Sequence, residues 1–119
     1  MDQVRLVSTL KTGELSVKGE KRLKRLVALR HIRLDAVVFL FFWCNQHLIP
    51  ETWKERVNGN IQFITFDGTV LRNPGGLRCV LYLYWGNLDG KWRWDVRWLG
   101  GDFNVINMSA VLAPVVQQS

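Results

Sequence analysis

The amino-acid sequence predicts an α+β fold, with three N-terminal helices packed on a C-terminal antiparallel β-meander of four or more strands. Three observations predict it. Apolar residues before Asn45 recur at helical spacing or fill a helix-length run, whereas after Asn60 they alternate or form strand-length runs. Turn signals at Asn58-Gly59-Asn60, Asp67-Gly68, Asn73-Pro74-Gly75-Gly76 and Asn87 to Gly90 cut the second half into short segments. In the stretch from Lys91 to Leu99, Trp92, Trp94, Val96 and Trp98 alternate with Lys91, Arg93, Asp95 and Arg97. At 119 residues the chain is one domain, 1–119, with a helical half (1–50) and a β half (51–119).

In the helical half, Asp2 caps a short first helix carrying Val4, Leu6, Val7 and Leu10, and Thr12-Gly13 ends it. Ser16 caps a second helix to about Arg30, where Leu23, Leu26, Val27 and Arg30 form a stripe and Lys18, Lys21 and Arg25 lie off it. Gly19 is a weak helix former in its first turn. Asp35 caps a third helix from Ala36 to about Gln46 that is apolar nearly all round, which predicts burial in the centre of the domain. Pro50 closes this half, and Glu51 to Glu55 add a helical turn.

In the β half, Ile61 to Phe66 reads as a strand, Asp67-Gly68 as a hairpin turn and Thr69 to Arg72 as the return strand. Arg78 to Trp85 is apolar on both faces, as a central strand is. The alternation over Lys91 to Leu99 predicts a Trp-lined core wall on one face and a solvent-facing charged row on the other. Gly100-Gly101-Asp102 turns out of that strand, and Ala110 to Val116 is a small-apolar stretch that folds back as a short strand or helix.

Composition and spacing exclude several classes. Apolar residues at 48% and charged residues at 22% exclude a disordered chain. The nine-residue apolar run Ala36 to Cys44 is too short to span a bilayer, which takes about 20 residues. It also lies too far into the chain, with Asn45-Gln46-His47 after it, to be a signal peptide; the reading is a chain without a membrane span, made without export. Cys44 and Cys79 fit no short metal-ligand pair and read as small buried apolar residues. His31 and His47 have no ligand-spaced acid, Ser109 sits in no nucleophile elbow, and no phosphate loop is present. Asp89, Asp95 and Asp102 lack the dense oxygen spacing of a calcium loop. The expectation is a protein that is not an enzyme, with no metal and no cofactor.

Charge is uneven: residues 1–60 hold eleven Lys/Arg against six Asp/Glu, and residues 61–119 five against four. The stretch 18–33 holds seven basic residues and one acid, so Lys18, Lys21, Arg22, Lys24 and Arg25 are candidates for contacting nucleic-acid phosphate. A solvated helix face explains the same pattern, and no aromatic residue is interleaved for base stacking. The six tryptophans likewise serve either a core or a stacking surface, and the alternation favours the core.

Several stretches carry a likeness when taken together. They are His47-Leu48-Ile49-Pro50-Glu51-Thr52-Trp53-Lys54, Phe66-Asp67-Gly68-Thr69-Val70, Arg78 to Trp85, Trp92-Arg93-Trp94, Trp98-Leu99 and Ser109-Ala110-Val111-Leu112-Ala113. The chain resembles short Trp-rich bacterial proteins that look like the variable target proteins of diversity-generating retroelements. The resemblance implies that a reverse transcriptase rewrites the 3′ end of the gene at template adenines, on a C-type-lectin-like scaffold that displays the varied residues to a ligand. It places the variable segment at 92–108, with Arg93, Asp95, Val96, Arg97, Gly100, Gly101, Phe103, Asn104, Ile106 and Asn107 as the varied, ligand-binding positions. Val96 departs, because alternation turns it inward, and Met108 stands where the relatives usually have Pro. The expected function is a non-enzymatic module binding a protein or surface ligand through the last strand and the loop after it. The alternative is a small nucleic-acid-binding protein using the basic face of residues 18–33.

Overall fold

The computed structural model describes residues 4–112. The strands are β1 (Val4–Val7), β2 (Ser16–Lys18), β3 (Ile32–Arg33), β4 (Arg56–Val57), β5 (Asn60–Ile61), β6 (Phe63–Arg72), β7 (Arg78–Gly86), β8 (Lys91–Trp98), β9 (Asp102–Asn104) and β10 (Asn107–Leu112). The helices are α1 (Gly19–Ala28) and α2 (Ala36–Cys44), with single 3₁₀ turns at Gln46–Leu48 and Glu51–Lys54. The main sheet runs β1-β10-β6-β7-β8, with β3 also on β10. Its β10–β6 pair is parallel and the others are antiparallel. Among the described residues the architecture is therefore a mixed six-stranded sheet with two helices, which corrects the expected three helices on an antiparallel meander.

The expected first helix is a strand. Val4 to Val7 pairs with Leu112 to Ser109, so sheet partners distant in sequence decide a segment whose apolar spacing fits either state. Asp2, its expected cap, lies outside the described residues, as do residues 113–116 of the C-terminal apolar stretch. Ala110 to Leu112, the beginning of that stretch, belongs to β10. Ser16 caps nothing: it pairs with Asn104 in β2, and α1 begins at Gly19. The first free amides of α1 are satisfied by backbone instead, Gly19 N–H donating to the Gly101 carbonyl and Glu20 N–H to that of Leu99, both at 3.0 Å. Glycine is needed there, because a Cβ at position 19 would lie 2.5 Å from the Leu99 carbonyl oxygen. Asp35 does cap α2, accepting from the Val38 amide at 3.1 Å.

Asp67-Gly68 is not a hairpin. β6 runs through it, with a register shift between Phe66 and Leu71. There Gly68 N–H donates to the Leu34 carbonyl at 2.8 Å, and a Cβ on Gly68 would lie 2.5 Å from the Arg33 carbonyl oxygen. The β6–β7 hairpin instead closes at Asn73 to Leu77, as the Asn-Pro-Gly-Gly signal predicts, with Gly76 at φ +82°. The turn expected at Asn58-Gly59-Asn60 joins β4 to β5.

The two sheet faces carry different cores. On one, α2 lays Phe39 and Phe42 against Ile64, Phe66, Leu81, Leu83 and Trp92. On the other, Leu23 of α1 packs with Val80, Leu99 and Phe103. The helix α2 is not central: Val37, Leu40 and Phe41 point outward, since one helix on one sheet face can bury only one side. Cys44 is exposed on it, contrary to expectation, while Cys79 is buried, and both are free thiols. In the expected stripe of α1, Leu23 and Leu26 are buried, but Val27 and Arg30 are exposed. No helix among the described residues is long and apolar enough to cross a membrane.

Candidate functional site

Strand β8 is the edge of the main sheet, and the Trp wall expected on it is only partly buried. Trp92 is 6% exposed, but Trp94 is 49%, Val96 40% and Trp98 52% exposed. Past Trp92 the strand runs beyond the cover of α2, whose Phe39 still meets the Trp94 ring edge-on at 5.8 Å. Gly100 lies under the Trp98 indole so closely that any Cβ there would overlap the ring.

The opposite face of β8 carries Arg93, Asp95 and Arg97, which stand across from Tyr84, Tyr82 and Val80 of β7. Phe63 of β6 stands on the same face and completes an aromatic cluster. Its ring lies 5.5 Å from that of Tyr82 and 5.4 Å from that of Tyr84, and the two tyrosines are 5.7 Å apart. Helix α1 covers Val80 and Phe103 but stops short of this cluster, so Phe63, Tyr82 and Tyr84 are half-buried and bordered by charge. The result is an open platform of flat rings edged by Arg93 and Asp95. An open cleft of about 440 Å³ flanks it, lined by Ile61, Tyr84, Leu88, Asp89 and Arg93.

Electrostatics hold the platform's border. Arg93 pairs with Asp89 across the β7–β8 turn, and that hydrogen bond holds the Asp89 carboxyl below its ordinary range. Burial, with the Asp95 carboxylate next in weight, pushes the Tyr82 phenol above its usual value. The Tyr82 hydroxyl therefore stays a neutral hydrogen-bonding group through neutral pH. Arg97 is half-buried, lies 4.9 Å over the Phe103 ring and donates to the Asp102 carbonyl.

The ten positions expected to vary divide. Arg93, Asp95, Val96 and Asn104 are exposed, and Arg97, Gly100, Gly101 and Ile106 are intermediate. Phe103 and Asn107 are buried, at 1% and 5% exposure. Residues 102–104 form β9 against β2, so the expected loop is partly a strand, and Phe103 faces into the α1 core. Asn107 accepts from the Asn104 amide through its side chain at 2.9 Å and pairs with Phe63 in the sheet. Neither side chain reaches a ligand.

The basic face of α1 is also smaller than the charge count implies. Arg22 is 1% exposed and bound to Asp67, which corrects its place among the phosphate contacts. Arg25 is held by Glu14 at 2.6 Å, and Lys18 meets Asp102 at 3.1 Å. Lys21 and Lys24 are exposed. His47 is exposed in the first 3₁₀ turn, and the residue closing α2 is Asn45. Among the described residues, no group of three or more His, Cys, Asp or Glu side chains comes together as a metal site.

Phe63, Tyr82 and Tyr84 are the site residues that reading the sequence missed. The signal was there: Leu81 and Leu83 alternate with Tyr82 and Tyr84, so the two leucines share one face of β7 and the two phenols the other. Compared with protein-family models, curated proteins and solved structures, the chain has no match.

Proposed function

We propose that the protein is a non-enzymatic binding module that takes a protein or other surface ligand on the open sheet platform. The observation that carries this reading is the junction of the Phe63–Tyr82–Tyr84 cluster with the exposed Arg93 and Asp95 on one uncovered face. Aromatic side chains and arginine are the types enriched where proteins bury contact surface, because they combine large area with few rotamers or a planar donor array. A sheet face fixes those side chains rigidly, so little ordering entropy is lost on binding.

The resemblance to retroelement target proteins supports a diversifiable surface, and the fold narrows it. Arg93, Asp95, Val96 and Asn104 are exposed, so the core tolerates other side chains at these positions. The DNA around the gene tests this part: the reading requires a near-copy of the 3′ end, differing at adenines, beside a reverse-transcriptase gene. Absence of that copy removes diversification and leaves the binding module.

The binding module is tested by selecting phage-displayed peptides on the immobilised protein. The selected peptides are then titrated against wild type and an Arg93→Ser variant, which leaves Asp95 in place. The platform reading predicts at least tenfold weaker binding to a variant with an unchanged thermal midpoint. Equal binding by both proteins excludes it.

A further inference from the structure

The outer edge of β8 carries a pattern that is complementary to itself. No described strand pairs with that side of β8. Leu99 N–H donates to the Arg78 carbonyl of β7 at 2.9 Å. In an antiparallel pair, alternate residues point both backbone groups at the same neighbour, so Arg97, Asp95 and Arg93 also bond toward β7. Trp94, Val96 and Trp98 then direct their N–H and C=O groups outward. The Val96 amide agrees with this: it donates to the Asp95 carboxylate beside it, at 2.7 Å.

We propose that two copies of this chain pair β8 to β8, antiparallel, with Val96 on the two-fold axis. Outward-pointing residues must meet outward-pointing residues, which allows only a few registers, and charge and size choose among them. With Asp95 on the axis, Asp95 faces its own copy and Arg93 faces Arg97. With Trp94 on the axis, Arg93 faces Asp95, but Lys91 faces Arg97 and Trp92, already buried under α2, faces Val96. With Arg97 on the axis, the two arginines face each other. With Val96 on the axis, Asp95 faces Arg97 twice and Trp94 faces Trp98 twice, which are favourable cross-strand pairs.

Three features of the single chain fit that register. Trp94, Val96 and Trp98 are the half-exposed apolar side chains that the pairing covers. Among the described residues the Arg97 Nε is buried without a hydrogen-bond partner, and Asp95 of the second copy comes opposite it. The Trp98 carbonyl already accepts from Gly101 N–H, so the Trp98 amide alone joins the ladder, while the Val96 pair exchanges both of its bonds once the Asp95 carboxylate turns from the Val96 amide to Arg97 of the second copy. The dimer sets the two platforms side by side on one face of a continuous sheet, but its formation does not depend on their binding anything.

The test is the mass of the full 119-residue protein by sedimentation equilibrium, across protein concentration. The expected result is a species of twice 13.8 kDa. Asp95→Arg sets arginine opposite Arg97 and is expected to weaken association at least tenfold. Adding Arg97→Asp to it recreates the pair with reversed sign and restores the dimer. Val96→Pro removes the amide on the axis without touching a bond to β7 and is expected to give monomer. Asp95 is exposed, so Asp95→Arg reads out association even if the other variants fold poorly. A wild-type monomer at high concentration overturns the proposal. So does a dimer that Asp95→Arg leaves intact.

Discussion

Arg22 and Asp67 form a buried ion pair, with guanidinium Nη1 2.7 Å from carboxylate Oδ1 and both side chains at 1% exposure or less. It ties α1 to the bulge of β6. Arg22 also donates to the Thr65 hydroxyl at 2.6 Å, and the second Asp67 oxygen accepts from the hydroxyls of Thr65 and Ser109, each at 2.5 Å. The Phe103 ring closes over the guanidinium at 4.8 Å. A pair taken so far from water is tolerated because neighbouring groups supply most of its hydrogen bonds; among the described residues the Arg22 Nε alone of the pair has no partner.

Removing one partner strands the other. Asp67→Ala or Arg22→Ala is expected to cost about 3–5 kcal/mol, a large part of the stability of a small domain. Urea unfolding measures it. A loss below about 1 kcal/mol would mean that the pair is solvated and α1 is held by Leu23 and Leu26 alone.

The tryptophans of β8 differ in kind. Trp92 lies in the α2 core, so Trp92→Ala is expected to cost about 3–5 kcal/mol. Trp94 and Trp98 are half-exposed in the single chain, so in the Asp95→Arg background, where β8 does not pair, they lose far less on truncation, because much of their area is already wet in the fold. Equal losses at Trp92 and Trp94 in that background, by thermal or urea unfolding, contradict the burial found here.

Close approach sets the roles of Gly19 and Gly68. Alanine at either meets a backbone carbonyl oxygen at 2.5 Å, so Gly19→Ala and Gly68→Ala are expected to lower the thermal midpoint. Gly75→Ala, which meets only the Asn73 side chain at 3.3 Å, serves as the control. An unchanged midpoint in Gly19→Ala refutes the tight packing of α1 on the β8–β9 turn, and one in Gly68→Ala refutes that of the β3–α2 connection on β6.

Acid acts on one ion pair at the last turn of α1, Arg25 with Glu14. The hydrogen bond from Arg25, followed by that from the Lys11 amide, pulls the Glu14 carboxyl down to about 2. A carboxylate whose pKa is lowered by folding stabilises the fold fully above its unfolded value, near 4.3, and loses that contribution as pH falls toward 2. Stability measured between about pH 5 and pH 2 should therefore fall less steeply for Glu14→Gln than for wild type. Identical slopes would show that the pair forms equally in the unfolded chain.

Local signals were legible where they act locally. The Asp35 cap, the Asn-Pro-Gly-Gly hairpin and the charge alternation of β8 can each be read within ten residues and stand in the fold. What was not legible depends on distant partners. Val4 to Val7 became a strand because β10 offers an edge about a hundred residues later. Arg22 looked like part of a solvated basic face because Asp67, its partner, lies 45 residues away. Asp67-Gly68 has the composition of a hairpin but serves as a bulge, since the β3–α2 connection packs directly on Gly68. Half of the candidate site was visible as Arg93 and Asp95. The other half needed the β6–β7–β8 register, which brings Phe63, Tyr82 and Tyr84 to the same face.

The most direct measurement is a map of amide chemical shifts in the labelled protein as a phage-selected peptide is added. A binding platform on the open sheet face predicts the largest changes at Phe63, Tyr82, Tyr84, Arg93 and Asp95, with α1 and the outer side of α2 quiet. Changes centred on Lys21 and Lys24 of α1, or on Val37, Leu40 and Phe41 of α2, would contradict it.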